Sequence, residues 1–272
     1  MQAYRGMDIG TAKPDADLRS RVPHSLIDIL DIDEQYTVGD FVRRADAACD
    51  DISSRGRLPV VSGGSGFYLR NFICGLSGAP ASDPEVREAV ARDLANLGAE
   101  ALRAELAVAD PASASRIHAN DLYRLTRALE IVRLTGRAMA QFAPSPEPRE
   151  GRRLFVLGFA PPAELLAPRI GARVDAMMAA GLADEVAGLI KAGHGLGDPG
   201  MKAIGYREFL EPEAAGAGLQ GISERIKLDT RRYAKRQMTF FRRLPGIEWI
   251  ENDVGAFASR VSGIVHGEGS GL

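Results

Sequence analysis

The chain has 272 residues, 45% of them hydrophobic and 26% charged, with a formal net charge of −2. This is the make-up of a globular protein with one large domain or two modest ones, and it excludes global basicity as a means of binding nucleic acid, so an anionic partner has to be met by a local patch. No apolar run approaches the roughly 18 residues of a membrane span and the N-terminus lacks a charged-then-apolar leader pattern, so a cytoplasmic protein without membrane contact is expected.

Residues 1–14, from Met1 to Pro14, read as a polar, Gly-punctuated loop of the kind that follows a strand. His24–Leu30 and Leu58–Val61 are rich in branched residues and predict strands, the second running into a Gly-rich turn and then a helix. From Ser82 to Gln141 the sequence turns Ala-, Arg- and Glu-rich without strand signals, and a Pro-rich stretch, Ala143–Pro148, closes it. This predicts a helical subdomain, 82–145, inserted into an α/β core made of 1–81 and 146–272. Leu154–Phe159 and Ile247–Ile250 predict two more strands, helices fill Pro162–Leu244, and Gly267–Leu272 reads as a frayed tail. Strands alternating with long helices imply a parallel sheet, whose ligands bind at the carboxyl ends of the strands. Cys49 and Cys74 are the only cysteines, and His24, His118, His194 and His266 are scattered. They read as free thiols in a reducing compartment and as no zinc site.

The clearest chemistry lies in residues 231–243, which hold six basic residues and no acid. At about 100° per residue on a helix, Arg231, Arg232, Lys235, Arg236, Arg242 and Arg243 cover roughly 140° of arc. Ile222, Ile226, Tyr233, Phe240, Phe241 and Leu244 take the other side, so the aromatics are expected as core anchors. A face without interleaved Glu lacks the usual i,i+4 pairing, which favours anion binding over a merely solvated face. Ser62-Gly63-Gly64-Ser65-Gly66 after a strand can bring backbone amides to a phosphate, yet a plain strand-to-helix turn fits as well, and the sequence carries no Gly-Lys-Ser/Thr loop. Arg169 and Arg173, four apart on one helix, can grip a diphosphate from one side, or form a surface pair with a neighbouring acid. Asp121, Arg124 and Arg127 form a similar ladder, or a merely solvated face, beside a buried stripe of Leu125, Leu129 and Val132. Lys202 to Glu208 combines a cation, a Gly turn and Tyr206, compatible with a phosphate contact or base stacking.

Taken in order, residues 1–14, Gly63–Tyr68, Arg169–Asp175, Lys202–Arg207 and Lys235–Gln237 resemble the tRNA dimethylallyltransferase family. The resemblance implies a P-loop-type α/β core with a helical insertion, acting as a monomer on the tRNA anticodon stem-loop. It implies transfer of a dimethylallyl group from dimethylallyl diphosphate to N6 of adenosine 37, with Mg2+ as cofactor. Carried over by position, Met1 and Gln2 match the end of a segment at the tRNA site, and Ser65 stands near the reacting adenine where the family usually has Thr. Arg87 matches a tRNA contact at the start of the insertion, and Tyr123, Arg124, Leu125, Thr126 and Arg127 a contact segment within it. Lys202, Ala203, Ile204, Gly205, Tyr206 and Arg207 match another, as do Lys235, Arg236, Gln237, Met238, Thr239, Phe240, Phe241 and Arg242. Arg173 resembles the arginine that faces the diphosphate, with Arg169 beside it. Ser65 and Arg173 are thus the catalytic residues that the resemblance implies within these 272 positions.

In the family a Gly-Lys-Ser/Thr loop and an Asp-Ser pair, carrying the diphosphate, the Mg2+ ligand and the general base, precede the Met-Gln. Their absence from the sequence raises the expectation of an N-terminally truncated core with impaired activity. Two alternatives stay open: a non-catalytic tRNA-binding remnant, and an adenine-nucleotide isopentenyltransferase.

Overall fold

A computed structural model describes residues 1–212, 216, 218–250 and 253–267, and among these the chain divides into two compact units. The first comprises Met1–Ile73 and Glu150–Leu272, the second Cys74–Arg149. Of the expected frayed tail, residues 268–272 lie outside the described residues.

In the first unit α1 (Ala16–Arg21), α2 (Val38–Ser54) and α3 (Gly66–Cys74) precede the second unit, and β1 (Val156–Phe159) follows it. The start of α2 is set by a capping box, in which Thr37 and Asp40 satisfy each other's backbone amides. β1 pairs in parallel with β2 (Ile247–Ile250), Val156 opposite Ile247 and Phe159 opposite Ile250. Gly158 lets the side chains of the neighbouring strand close in, since a Cβ there would sit 2.7 Å from the Ile247 side chain and 2.9 Å from the Trp249 ring. Parallel strands need a long crossover; here it includes α7 (Ala163–Ala179), α8 (Leu182–Lys191) and α9 (Gly218–Phe241), and α10 (Val254–Val265) follows β2. The core gathers Met7, Leu182, Met201 and Tyr206, all fully buried, with Ile170 and Val174 of α7 and Ile222 and Ile226 of α9. A second cluster joins Val42, Ala45 and Cys49 of α2 to Phe72 of α3.

The second unit is helical: α4 (Pro84–Ala109), α5 (Pro111–Arg116) and α6 (Leu122–Thr135). Asp83 and Asp121 cap α4 and α6 through side-chain bonds to Val86 N and Arg124 N, and Gly136 in the left-handed region closes α6. Leu102, Leu106, Leu125 and Leu129 fill its core.

An α/β architecture with a parallel pair and many helices is therefore present, but two expected strands are not formed. His24–Leu30 is a turn with Leu26 and Asp28 at φ of +65° and +55°, and only Leu30 makes an isolated parallel bridge, to Tyr4. Leu58–Val61 makes no ladder among the described residues, and Leu58 and Val60 are 56% and 71% exposed. β-branched residues supply the propensity for a strand but not a hydrogen-bonded neighbour, and Pro59 has no N–H to offer one.

Candidate RNA and diphosphate site

The Gly-rich turn delivers Ser65 to the start of α3, where the Ser65 carbonyl accepts the first helical bond from Leu69 N at 3.0 Å. Its hydroxyl is exposed and has no partner among the described residues. The turn is gripped from α9: Gln237 Nε2 donates to the Gly64 carbonyl at 2.6 Å and Tyr233 Oη to the same oxygen at 3.3 Å. Next to Ser65, Gly66 lies so close to Phe240 that a Cβ would be 2.4 Å from its ring.

Along the rest of α9 and just beyond it, all six basic residues of 231–243 are exposed. Arg232 reaches Asp229 at 3.4 Å, and Arg236 lies over the Tyr233 ring at 5.9 Å. Arg231, Lys235, Arg242 and Arg243 have no acidic partner among the described residues. Tyr233, expected in the core, is instead 38% exposed and spends its hydroxyl on the turn. Phe240 and Phe241 are half-buried, and Thr239 bonds back to the Lys235 carbonyl at 3.0 Å, leaving Met238 half-buried between them.

α7 packs on α9 through Ile170, Val174, Ile222 and Ile226, and Lys227 bonds Asp175 at 2.7 Å across the two helices. Arg169 and Arg173 are exposed on α7 without an ion pair among the described residues. Two cations one helical turn apart can accept a diphosphate.

The segment from Lys202 to Arg207 departs from its expected role. Tyr206 is fully buried and donates to Glu185 Oε1 at 2.5 Å, so its ring cannot stack on a base. Burial, then the Glu185 carboxylate, pushes its phenol pKa far up. Ala203 and Gly205 are buried too and Ile204 is half-buried; Gly205 stands at φ +98° with its amide on Glu208. Arg207 bonds Asp229 at 2.8 Å and Glu208 at 3.2 Å. Burial pushes the Asp229 carboxyl up, but the Arg207 and Arg225 hydrogen bonds outweigh it and hold it below the ordinary carboxylate range. Lys202 alone of the six keeps an exposed side chain.

Near the opening loop Met1 is exposed, and Gln2 Nε2 donates to the carbonyls of Thr11 and Ala12 at 3.1 and 2.9 Å. The Glu185 carboxylate that holds Tyr206 also accepts the amides of Asp8, Ile9 and Gly10 at 3.0, 2.8 and 3.4 Å. Lys13, only 3% exposed, bonds Asp8 at 2.6 Å and Asp28 at 2.5 Å. Neither Glu185 nor Lys13 stands out in the sequence, because partners this distant leave no local spacing to read.

In the second unit Arg87 is exposed on α4, Tyr123 is 81% exposed, and exposed Arg124 stands 3.4 Å from Asp121. Leu125 is fully buried in the helical core and cannot offer its side chain to RNA. Arg127 is drawn inward by the Pro80 carbonyl and by Glu130 at 2.9 Å, and Thr126 bonds the Leu122 carbonyl. Of this expected contact segment, Tyr123 and Arg124 face outward.

Among the described residues no group of three or more His, Cys, Asp or Glu could hold a metal ion by itself, and no step is assigned to the expected Mg2+, which is held by one or two oxygen ligands together with substrate phosphates. Among the described residues no helix is long and apolar enough to cross a membrane.

A family model described as IPP transferase matches residues 2–244. The chain belongs to the IPP transferase family. It is 42% identical over 255 residues to the tRNA dimethylallyltransferase of Geobacter sulfurreducens, covering 92% of this chain and 81% of the relative. With that of Geobacter metallireducens it shares 42% over 269 residues, at coverages of 98% and 87%. The crystal structure of the tRNA isopentenylpyrophosphate transferase of Bacillus halodurans aligns with a TM-score of 0.68 at 35% identity, over 98% of this chain and 85% of that one. A eukaryotic dimethylallyltransferase acting on tRNA shares the fold, with a TM-score of 0.82 at 24% identity, over 99% of this chain and 72% of that one. The IPP transferase family comprises prenyl-group transferases, and the chain is an enzyme of that class. The expected impairment finds no support, as the IPP transferase model matches from residue 2 onward.

Proposed function

We propose that this chain transfers a dimethylallyl group from dimethylallyl diphosphate to N6 of adenosine 37 in tRNA. The observation that carries the reading is α9, which bares Arg231 and Lys235 to solvent without acidic partners among the described residues while it grips the turn that presents the Ser65 hydroxyl. The resemblance supplies the substrates, and the relatives named tRNA dimethylallyltransferase support it.

In the reaction the N6 lone pair forms a bond to the allylic carbon, the carbon–oxygen bond to diphosphate breaks, and the leaving group keeps that electron pair. Arg173 and Arg169 would meet the charge that develops on the diphosphate, which is where preorganised cations lower the barrier most. The Ser65 hydroxyl, without a protein partner, would hydrogen-bond the edge of an adenine extruded from the anticodon loop. In the first unit Met1, Gln2 and Lys202 would contact RNA together with the exposed cations from Arg231 to Arg243, and in the second unit, taken by itself, Arg87, Tyr123 and Arg124 are the proposed RNA contacts. The proton released from N6 passes to water or to the departing diphosphate, and no side chain in this sequence is assigned to it. The parallel β1/β2 pair and the flanking helices fit a P-loop-type core. The two buried cysteines form no disulfide, which fits a reducing cytoplasm, and a single chain holds all the groups assigned here.

The reading is tested by incubating the purified chain with unmodified tRNA and dimethylallyl diphosphate and resolving the digested nucleosides by mass spectrometry. Dimethylallyladenosine is the expected product, and Arg173→Ala lowers kcat/KM for the diphosphate about a hundredfold. Binding of tRNA without product would select the non-catalytic reading. Equal prenylation of free adenine nucleotides would select the nucleotide transferase.

A further inference from the structure

Gln237 lies in the middle of a basic helix segment, where the resemblance makes it one of a run of RNA contacts. Its geometry assigns it elsewhere. The Nε2 group faces inward and donates to the Gly64 carbonyl at 2.6 Å, the shorter of the two bonds that this oxygen accepts. It also fills the space over Gly64, where a Cβ would come within 2.3 Å of Nε2. One helical turn before it Tyr233 holds the same oxygen, and three residues after it Phe240 closes on Gly66. The three side chains sit at i, i+4 and i+7 on one face of α9, and between them they fix the peptide before Ser65 and the Cα after it. Ser65 itself has no side-chain bond to hold it.

We infer that Gln237 is a positioning residue, which fixes the Ser65 turn to α9 through the Gly64 carbonyl and does not act as a contact to RNA. The inference rests on the proposed function only for the consequence of that positioning. A turn of small residues has many backbone states open to it, and a reacting group that must be placed to within an ångström loses rate when its support loosens. Substrate affinity is set by the cations on the other faces of α9, so loosening the turn lowers kcat and leaves KM for tRNA where it was.

The test is Gln237→Met, which keeps length and neutrality but removes the donor, with Tyr233→Phe as the milder variant that removes the longer bond. Steady-state prenylation and amide hydrogen exchange are measured on both. The expected result is a fall in kcat of about tenfold for Gln237→Met, with KM for tRNA within about twofold, and exchange at Leu69 faster by about tenfold. Tyr233→Phe shows the same pattern at smaller size. A raised KM with unchanged kcat would make Gln237 an RNA contact and overturn the inference, as would unchanged exchange at Leu69. If the unsubstituted chain makes no product, the proposed function fails by itself, and the exchange measurement still decides whether Gln237 holds the turn.

Discussion

Asp110 serves three backbone segments at once. Its amide ends α4 on the Leu106 carbonyl at 2.7 Å, its Oδ1 accepts Ser113 N at 3.0 Å to start α5, and its Oδ2 accepts Met139 N at 2.9 Å to fasten the turn after α6. Burial pushes its carboxyl up, but the Ser113 and Met139 hydrogen bonds outweigh this and hold it below the ordinary range. A carboxylate with a depressed folded-state pKa contributes stability that is fully present above its unfolded pKa, about 3.9, and lost as pH falls through the folded value. Asp110→Asn, which turns a donor toward Met139 N, is expected to cost about 1–3 kcal/mol at pH 7. In thermal unfolding at stepped pH the wild-type advantage should shrink below about pH 4, and an advantage undiminished at pH 3 would contradict this origin. The grip of Asp110 on Met139 leaves no local signal in the sequence, because the two lie 29 positions apart.

α4 consists of two helical stretches that meet at a kink. Gly98, at φ 82° and ψ 169°, interrupts it in a region open almost only to glycine. No atom lies within 4 Å of where a Cβ would stand, so the site is roomy and the constraint is purely conformational. Gly98→Ala should therefore lower stability by about 1–3 kcal/mol despite touching nothing, read as a lower urea midpoint at unchanged m-value. A helical Ala-, Arg- and Glu-rich stretch is easy to read in the sequence, and so are β1 and β2, where apolar runs fall between turn residues. The break at Gly98 is not, because an isolated glycine in a helical pattern is as often tolerated as obeyed. Leu58–Val61 shows the complementary limit: a strand needs a neighbour, and propensity says nothing of whether one is there. At the site the basic face of α9 and the Ser65 turn were legible from spacing. Tyr206 was not, since an aromatic next to an arginine looks alike whether it stacks on a base or closes a core.

At the scale of the molecule a net charge of −2 coexists with a helix that turns Arg231 and Lys235 outward without an acidic partner among the described residues. Binding of tRNA should then be steeply salt-dependent although the protein is acidic overall. Replacing Arg231 and Lys235 together by Ala is expected to flatten the slope of log Kd against log salt by about 1.5–2, measured by fluorescence anisotropy, without changing the melting temperature. A slope unchanged by both substitutions would move the RNA to another face. The Glu185 carboxylate carries a different consequence, one of timing. Residues 8–10 take their three amide bonds from a side chain 175 to 177 positions later, and that side chain is itself held by Tyr206. Contacts so distant in sequence close late in folding. During synthesis residues 8–10 leave the ribosome well before α8 and the Tyr206 turn, so although Lys13 can tie this loop to Asp28 early, its three amide bonds to Glu185 are among the last to be made.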